Sequence, residues 1–129
     1  MNILIIDDEP RISAVLSETL SSQGHQTSIF DSGKNGIDAL KNGDYEILIT
    51  DLGMPDTSGW EVINIAKQIE PGVITGVITG WDISEAEAEA QAEAQAEAKQ
   101  KGVDFLITKP FESSQIVQVV ANAIKLKTG

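Results

Sequence analysis

Ile47-Leu48-Ile49-Thr50-Asp51-Leu52-Gly53-Met54-Pro55 is the stretch on which the reading of this chain turns. Four apolar or β-branched residues run into an aspartate, and a glycine and a proline then force the chain to turn. An aspartate at the carboxyl end of such a strand projects into the crevice where open α/β sheets bind their ligands. Asp51 is therefore the candidate reactive carboxylate, and the rest of the chain can be asked what it supplies to that point.

Upstream, Ile3 to Ile6 is a second continuous apolar run, ending in Asp7-Asp8-Glu9. The lack of polar alternation predicts a strand buried on both faces. Pro10 suits a first helical turn, Ile12, Val15, Leu16 and Leu20 recur at helical spacing, and Gly24 is placed to end that helix. Gln26 to Phe30 reads as a less apolar strand near a sheet edge, and His25 before it as a solvated loop residue without a role. Ser32 or Gly33 opens a short helix carrying Ile37, Ala39 and Leu40, which Asn42-Gly43 closes.

Downstream of Asp51, a loop runs to Gly59, and a helix with Trp60, Val62, Ile63, Ala66 and Ile69 ends at Pro71-Gly72. Val73 to Thr79 is a fourth strand, with Gly76 where a neighbour packs close. Val103 to Thr108 is a fifth. Ile116, Val119, Val120, Ala123 and Ile124 mark a last amphipathic helix, with Ser113 or Ser114 as N-cap candidates. Strand and helix thus alternate through residues 1–129 as one domain. This βαβ pattern predicts an α/β fold with a parallel sheet, helices on both faces and right-handed crossovers.

The totals agree and exclude several classes. A chain of 129 residues suits one domain. It contains no cysteine, which removes disulfides, thiolate catalysis and Cys-ligated metals. No apolar run reaches membrane-spanning length, and no basic leader precedes the first strand, so a cytoplasmic protein is expected. A net charge of −11 argues against direct nucleic-acid binding, since phosphate would be repelled.

The strand ends then carry the chemistry: Asp7 and Asp8 after the first, Asp51 after the third, Thr79 after the fourth, Lys109 after the fifth. In a doubly wound sheet these ends share one rim. Each alone has a bland reading: Asp7-Asp8 as a helix cap, Asp51 as a turn former, Thr79 as a β-former, Lys109 as a solvated charge. Together, three carboxylates need a cation, and oxygen-only ligands point to Mg²⁺. Such a set suits phosphoryl transfer to Asp51, with Thr79 and Lys109 on the remaining phosphoryl oxygens and Lys109 balancing charge on the far side of Asp51.

Ile-Ile-Asp7-Asp8-Glu9-Pro10, Asp51-Leu-Gly-Met54-Pro55 with Gly59, Thr79-Gly80 and Lys109-Pro110-Phe111 together resemble the receiver domain of two-component response regulators. The resemblance spans essentially the whole chain. It implies the (βα)5 flavodoxin-like fold with strand order 2-1-3-4-5, for which a member of this family is the standard example. It implies that a phosphohistidine on a sensor histidine kinase or phosphotransfer protein donates to Asp51 with Mg²⁺ bound. Asp8, Asp51 and the backbone carbonyl of Gly53 would ligate the metal, Asp7 mostly through water. Thr79 and Lys109 would bind the phosphoryl group and couple it to a shape change read by a downstream protein. The implied molecule is a stand-alone regulator, a monomer or weak dimer, and no enzyme beyond assisting its own phosphorylation and dephosphorylation.

Two features depart from the family pattern. Leu106 stands where the family commonly carries the Tyr or Phe that moves with the threonine, while Phe105 is expected on the opposite face. Between strands four and five, residues 84–101 carry alanine at every even position from 86 to 98, with an Ala-Glu-Ala-Gln repeat. Ala, Glu, Gln and Lys are strong helix formers, so a helix of about 18 residues, about 27 Å long, is expected, capped by Ser84 and stopped by Gly102. Within it, 85–98 is a low-complexity extension without a large apolar face. An inactive or engineered receiver scaffold, serving as an interaction module, is the alternative reading.

Overall fold

The computed structural model describes residues 1–54, 56–80, 96, 100, 102–109 and 111–128. Five strands, β1 (Asn2–Ile6), β2 (Gln26–Phe30), β3 (Ile47–Asp51), β4 (Ile74–Gly80) and β5 (Phe105–Lys109), form one sheet in the order β2-β1-β3-β4-β5. Every neighbouring pair is parallel. Helices α1 (Pro10–Ser22), α2 (Gly33–Asn42), α3 (Gly59–Ile69) and α4 (Ser113–Thr128) cover the two faces.

Strand alternation sorts the core into two layers. Ile3, Ile5, Ile47, Ile49, Ile78 and Ile107 pack with Leu16 and Leu20 of α1 and Ile116 and Val120 of α4. Leu4, Ile6, Leu48 and Val77 pack on the other face with Leu40 of α2 and Val62, Ile63 and Ala66 of α3. β1 and β3 are buried because helices lie on both sides of them, which is why they read as unbroken apolar runs. A fully buried side chain such as Leu16 contributes about 1.5–3 kcal/mol through removal from water. β2 is an edge strand and, as expected, the least buried of those in the sheet's left half.

Local chemistry fixes most boundaries. Pro10 opens α1, and Gly24 leaves it at a φ of +89°, with its N–H donating to the Ser21 carbonyl at 3.0 Å. Ser32 caps α2 through the Asn35 N–H, and Ser58 caps α3 through the Glu61 N–H. Gly76 has no room for a Cβ, which would run into the Phe105 ring. Phe105 and Leu106 face opposite layers, as alternation requires.

Several expectations are corrected. α4 starts at Ser113, so its serines lie in the first turn rather than ahead of it. There the Glu112 N–H donates to Gln115 Oε1 at 2.8 Å, and Ser113 Oγ accepts from Thr19 Oγ1 of α1. β5 starts at Phe105 rather than Val103, because Asp104 turns its carboxylate onto the Thr75 N–H at 2.8 Å. Val15 is 42% exposed and no part of the core, while Ser13 and Thr19 are buried on α1 instead. His25 is half-buried rather than solvated. Its Nδ1 lies 3.1 Å from the Met1 amine, and burial pushes its pKa down. The expected helix over 84–101 lies outside the described residues apart from Ala96 and Gln100, which are helical and exposed.

Candidate functional site

The register of the sheet assembles the site. Ile6 pairs with Thr50 across β1 and β3, so the next residues, Asp7 and Asp51, emerge side by side at the carboxyl rim. Asp51 pairs with Ile78 of β4, and Thr79 follows one step further along. Gly80 pairs with Lys109 at the end of β5. β1 and β3 are also where the strand order reverses, the position at which open α/β sheets form a crevice.

Asp7, Asp8 and Asp51 each offer a carboxylate oxygen, and these oxygens all lie within 4.8 Å of one another. Asp7 and Asp51 are buried, whereas Asp8 is exposed. The bland reading of the acidic pair as a helix cap fails, because Glu9 occupies the N-cap of α1 and no side chain caps it. Asp7 instead accepts the Glu9 N–H through Oδ1 at 2.9 Å, leaving the buried Oδ2 without a hydrogen-bond partner among the described residues. Asp51 accepts the Gly53 N–H through Oδ1 at 3.3 Å.

Electrostatics follow from this crowding. Burial pushes the Asp7 carboxyl up to about 6, opposed by the Glu9 N–H, helped by the Asp51 charge and opposed in turn by Lys109. Asp51 is also raised, by burial first, against the pull of Lys109 and the Gly53 N–H. The Lys109 ammonium lies 3.6 Å from Glu9 Oε1 and 4.0 Å from Asp7 Oδ2. Its ion pairs are thus with Asp7 and Glu9, on the β1 side, while its field reaches Asp51.

Thr79 is buried at the end of β4. Alternation puts it on the side of Thr75 and Val77, opposite the side shared by Ile47, Ile49 and Asp51. Gly53 is exposed and forms a single antiparallel bridge with Ser58, which folds the loop after Asp51 back on itself. Leu106 is half-buried in the α2/α3 layer.

The donor set fits a hard divalent cation. Among the described residues all candidate ligands are oxygens, three carboxylates converge, and one buried carboxylate oxygen lacks a hydrogen-bond donor. A cation at this rim would favour the charged carboxylates, opposing the burial that chiefly raises Asp7 and Asp51 and the weaker mutual repulsion.

Sequence reasoning passed over Asp56. Its Oδ1 accepts the Gly33 N–H at 3.3 Å and its Oδ2 the Lys34 N–H at 3.2 Å, tying the loop after Asp51 to the start of α2. Those bonds, the Lys34 N–H first, hold its carboxyl below the usual range. The only local signal was an acid in a Pro/Gly loop; the partners lie more than twenty residues upstream.

Comparison with known proteins accords with this geometry. The family model described as "Response regulator receiver domain" matches residues 3–121. Transcriptional regulatory protein CusR of Escherichia coli K12 is 25% identical over 125 residues, covering 97% of this chain and 52% of CusR. Cell cycle response regulator CtrA of Brucella ovis is 26% identical over 129 residues, covering 100% and 52%. The chain therefore spans about half the length of the curated relatives it matches. A CheY-like receiver domain structure from Methanospirillum hungatei superposes with a TM-score of 0.84 at 22% identity, covering 98% of this chain and 95% of that one. With its strand order, its acidic rim and a family match over most of its length, the chain belongs to the receiver domains of two-component response regulators.

Proposed function

We propose that Asp51 accepts a phosphoryl group from the phosphohistidine of a sensor histidine kinase or phosphotransfer protein, in the cytoplasm, and that the phosphorylated domain changes its binding to a downstream protein. The convergence of Asp7, Asp8 and Asp51 at the point of strand reversal, with Asp7 Oδ2 buried and without a hydrogen bond among the described residues, carries this reading. Asp8, Asp51 and the Gly53 carbonyl would hold Mg²⁺ directly, and Asp7 would hold it mostly through water. Once bound, Mg²⁺ supplies the positive charge that lets an anionic donor approach three carboxylates.

The chain's own residues do the rest. An Asp51 carboxylate oxygen attacks phosphorus in line with the leaving nitrogen. A P–O bond forms as the P–N bond breaks, and the electron pair stays on the imidazole, which takes up a proton. Lys109 leaves Glu9 and Asp7 for a phosphoryl oxygen, and the Thr79 hydroxyl, one residue past the Asp51 partner Ile78 at the strand end, reaches over the rim to donate to another. Most of the rate comes from positioning and charge, not from turnover of a separate substrate. The domain acts through partners, as a monomer or weak dimer, and assists only its own phosphorylation and dephosphorylation.

The second reading is an inactive or engineered receiver scaffold acting as an interaction module; Leu106, which offers no ring to rotate beside Thr79, bears on the output step and not on phosphorylation itself. Intact-mass measurement separates the two. With acetyl phosphate and Mg²⁺ the protein should gain the mass of one phosphoryl group, lose that gain when EDTA is added beforehand, and show none as Asp51→Asn. An unmodified wild type, under conditions that label a related receiver, would favour the scaffold.

A further inference from the structure

The loop that follows Asp51 is fastened at both ends. At one end Asp51 Oδ1 accepts the Gly53 N–H at 3.3 Å, and Gly53 bridges to Ser58. At the other, Ser58 caps α3 through the Glu61 N–H at 3.3 Å, and Thr57 Oγ1 donates to Glu61 Oε2 at 2.7 Å. Those contacts fix the loop only to β3 and α3, elements it already joins. Among the described residues, one ties it to another element by hydrogen bonds. Asp56 spans to α2 and takes the first two N–H groups of that helix, one on each carboxylate oxygen. These donors have no partner inside the helix, so a carboxylate there satisfies both and meets the positive end of the helix dipole. Beside this contact a Cβ on Gly33 would overlap the Thr57 methyl, so loop and helix pack without a gap.

Resting on the assignment of Asp51 and the Gly53 carbonyl to the metal, we propose that Asp56 is a positioning residue for the phosphorylation site. By clipping the loop to the start of α2, it holds the Gly53 carbonyl in place to ligate the cation. The effect runs through the backbone: Asp56 touches neither metal nor phosphoryl group. Met54 is buried in the core and Gly53 bridges to Ser58, and the clip adds a tie to α2 that narrows the orientations of that carbonyl further. Groups that orient a metal ligand from one step away characteristically change affinity about tenfold or more when removed.

Loss of helix stability alone is the rival explanation, and Ser32→Ala provides the control. Ser32 caps the same helix end, through the Asn35 N–H at 3.2 Å, with no hydrogen bond to the loop among the described residues. Asp56→Ala and Ser32→Ala should each lower thermal stability modestly. Mg²⁺ binding, followed by calorimetry on the unphosphorylated protein, should weaken about tenfold in Asp56→Ala and less than twofold in Ser32→Ala. Asp56→Asn, which keeps one acceptor oxygen for one N–H, should fall between. Equal Mg²⁺ affinity in Asp56→Ala and wild type, or equal losses in Asp56→Ala and Ser32→Ala, would overturn the clip while leaving the Asp51 site intact. A wild type with no Mg²⁺ binding would overturn both the clip and the metal assignment beneath it.

Discussion

Asp7→Asn should make the metal-free protein more stable at pH 7, by about 1–3 kcal/mol, while blunting its response to Mg²⁺. The reason is the cost of holding a carboxylate in a buried place. Asp7 is 2% exposed, one of its oxygens lacks a hydrogen-bond partner among the described residues, and its carboxyl is raised from 3.8 to about 6. A folded pKa above the unfolded one means that folding takes up a proton. The stabilising contribution is therefore complete below about pH 4 and is lost as pH rises through 6. A shift of this size corresponds to at most about 3 kcal/mol of penalty at neutral pH. Asparagine keeps the acceptor for the Glu9 N–H and removes the charge. Urea unfolding at a series of pH values should show the gap between variant and wild type closing as pH falls towards 4. With saturating Mg²⁺ the order should narrow or reverse, because the wild type gains more from the cation. An Asp7→Asn protein less stable than wild type at pH 7 without metal would contradict this account of the site.

Gly59→Ala should cost about 2–3 kcal/mol and lower the melting temperature by about 10 °C. A Cβ at Gly59 would run into the Asp51 carbonyl oxygen, and it would stand 2.8 Å from Leu52 Cα and 3.0 Å from the Asp51 carbonyl carbon. All three neighbours are backbone, so no side chain can swing aside. The chain must move, and what moves is Asp51, the proposed phosphoryl acceptor. The same loop holds a control. No described residue lies within 4 Å of a Cβ built on Gly53, and its φ is not positive. Gly53→Ala should therefore change stability by less than about 0.5 kcal/mol. Thermal unfolding of the two variants side by side decides the matter; equal losses would mean that the close approach at Gly59 is not what demands glycine there.

These two glycines also illustrate what a sequence carries and what it does not. Both lie in the segment that marks the end of β3, yet only the assembled α3 packing against Asp51 distinguishes them. The sheet itself was legible because burial on both faces writes an unbroken apolar run, as in Ile3 to Ile6 and Ile47 to Ile49. The gathering of Asp7, Asp8 and Asp51 was legible too, since parallel strands put all their carboxyl ends on one rim. Competition for side-chain hydrogen bonds was not. Asp104 shortens β5 because its carboxylate reaches Thr75, twenty-nine residues away in sequence. Asp56 escapes notice for the same reason, as its partners Gly33 and Lys34 are brought near only when α2 and α3 pack together. The pairing of Lys109 with Glu9 likewise depends on the distance between β5 and the turn after β1. Val15 shows the limit of periodicity: an apolar residue at helical spacing lies just outside the stripe that faces the sheet.

The location of the phosphoryl group tests the central claim most directly. An acyl phosphate is reduced by borohydride to the alcohol with loss of phosphate, so a phosphorylated aspartate becomes homoserine and is marked permanently. Protein treated with acetyl phosphate and Mg²⁺, reduced and digested, should carry homoserine at position 51 in peptide mass spectra, and aspartate there when Mg²⁺ is omitted. Homoserine at Asp7 or Asp8 instead, or an unchanged Asp51 in protein that has gained a phosphoryl group, would contradict the assignment of Asp51 as the acceptor.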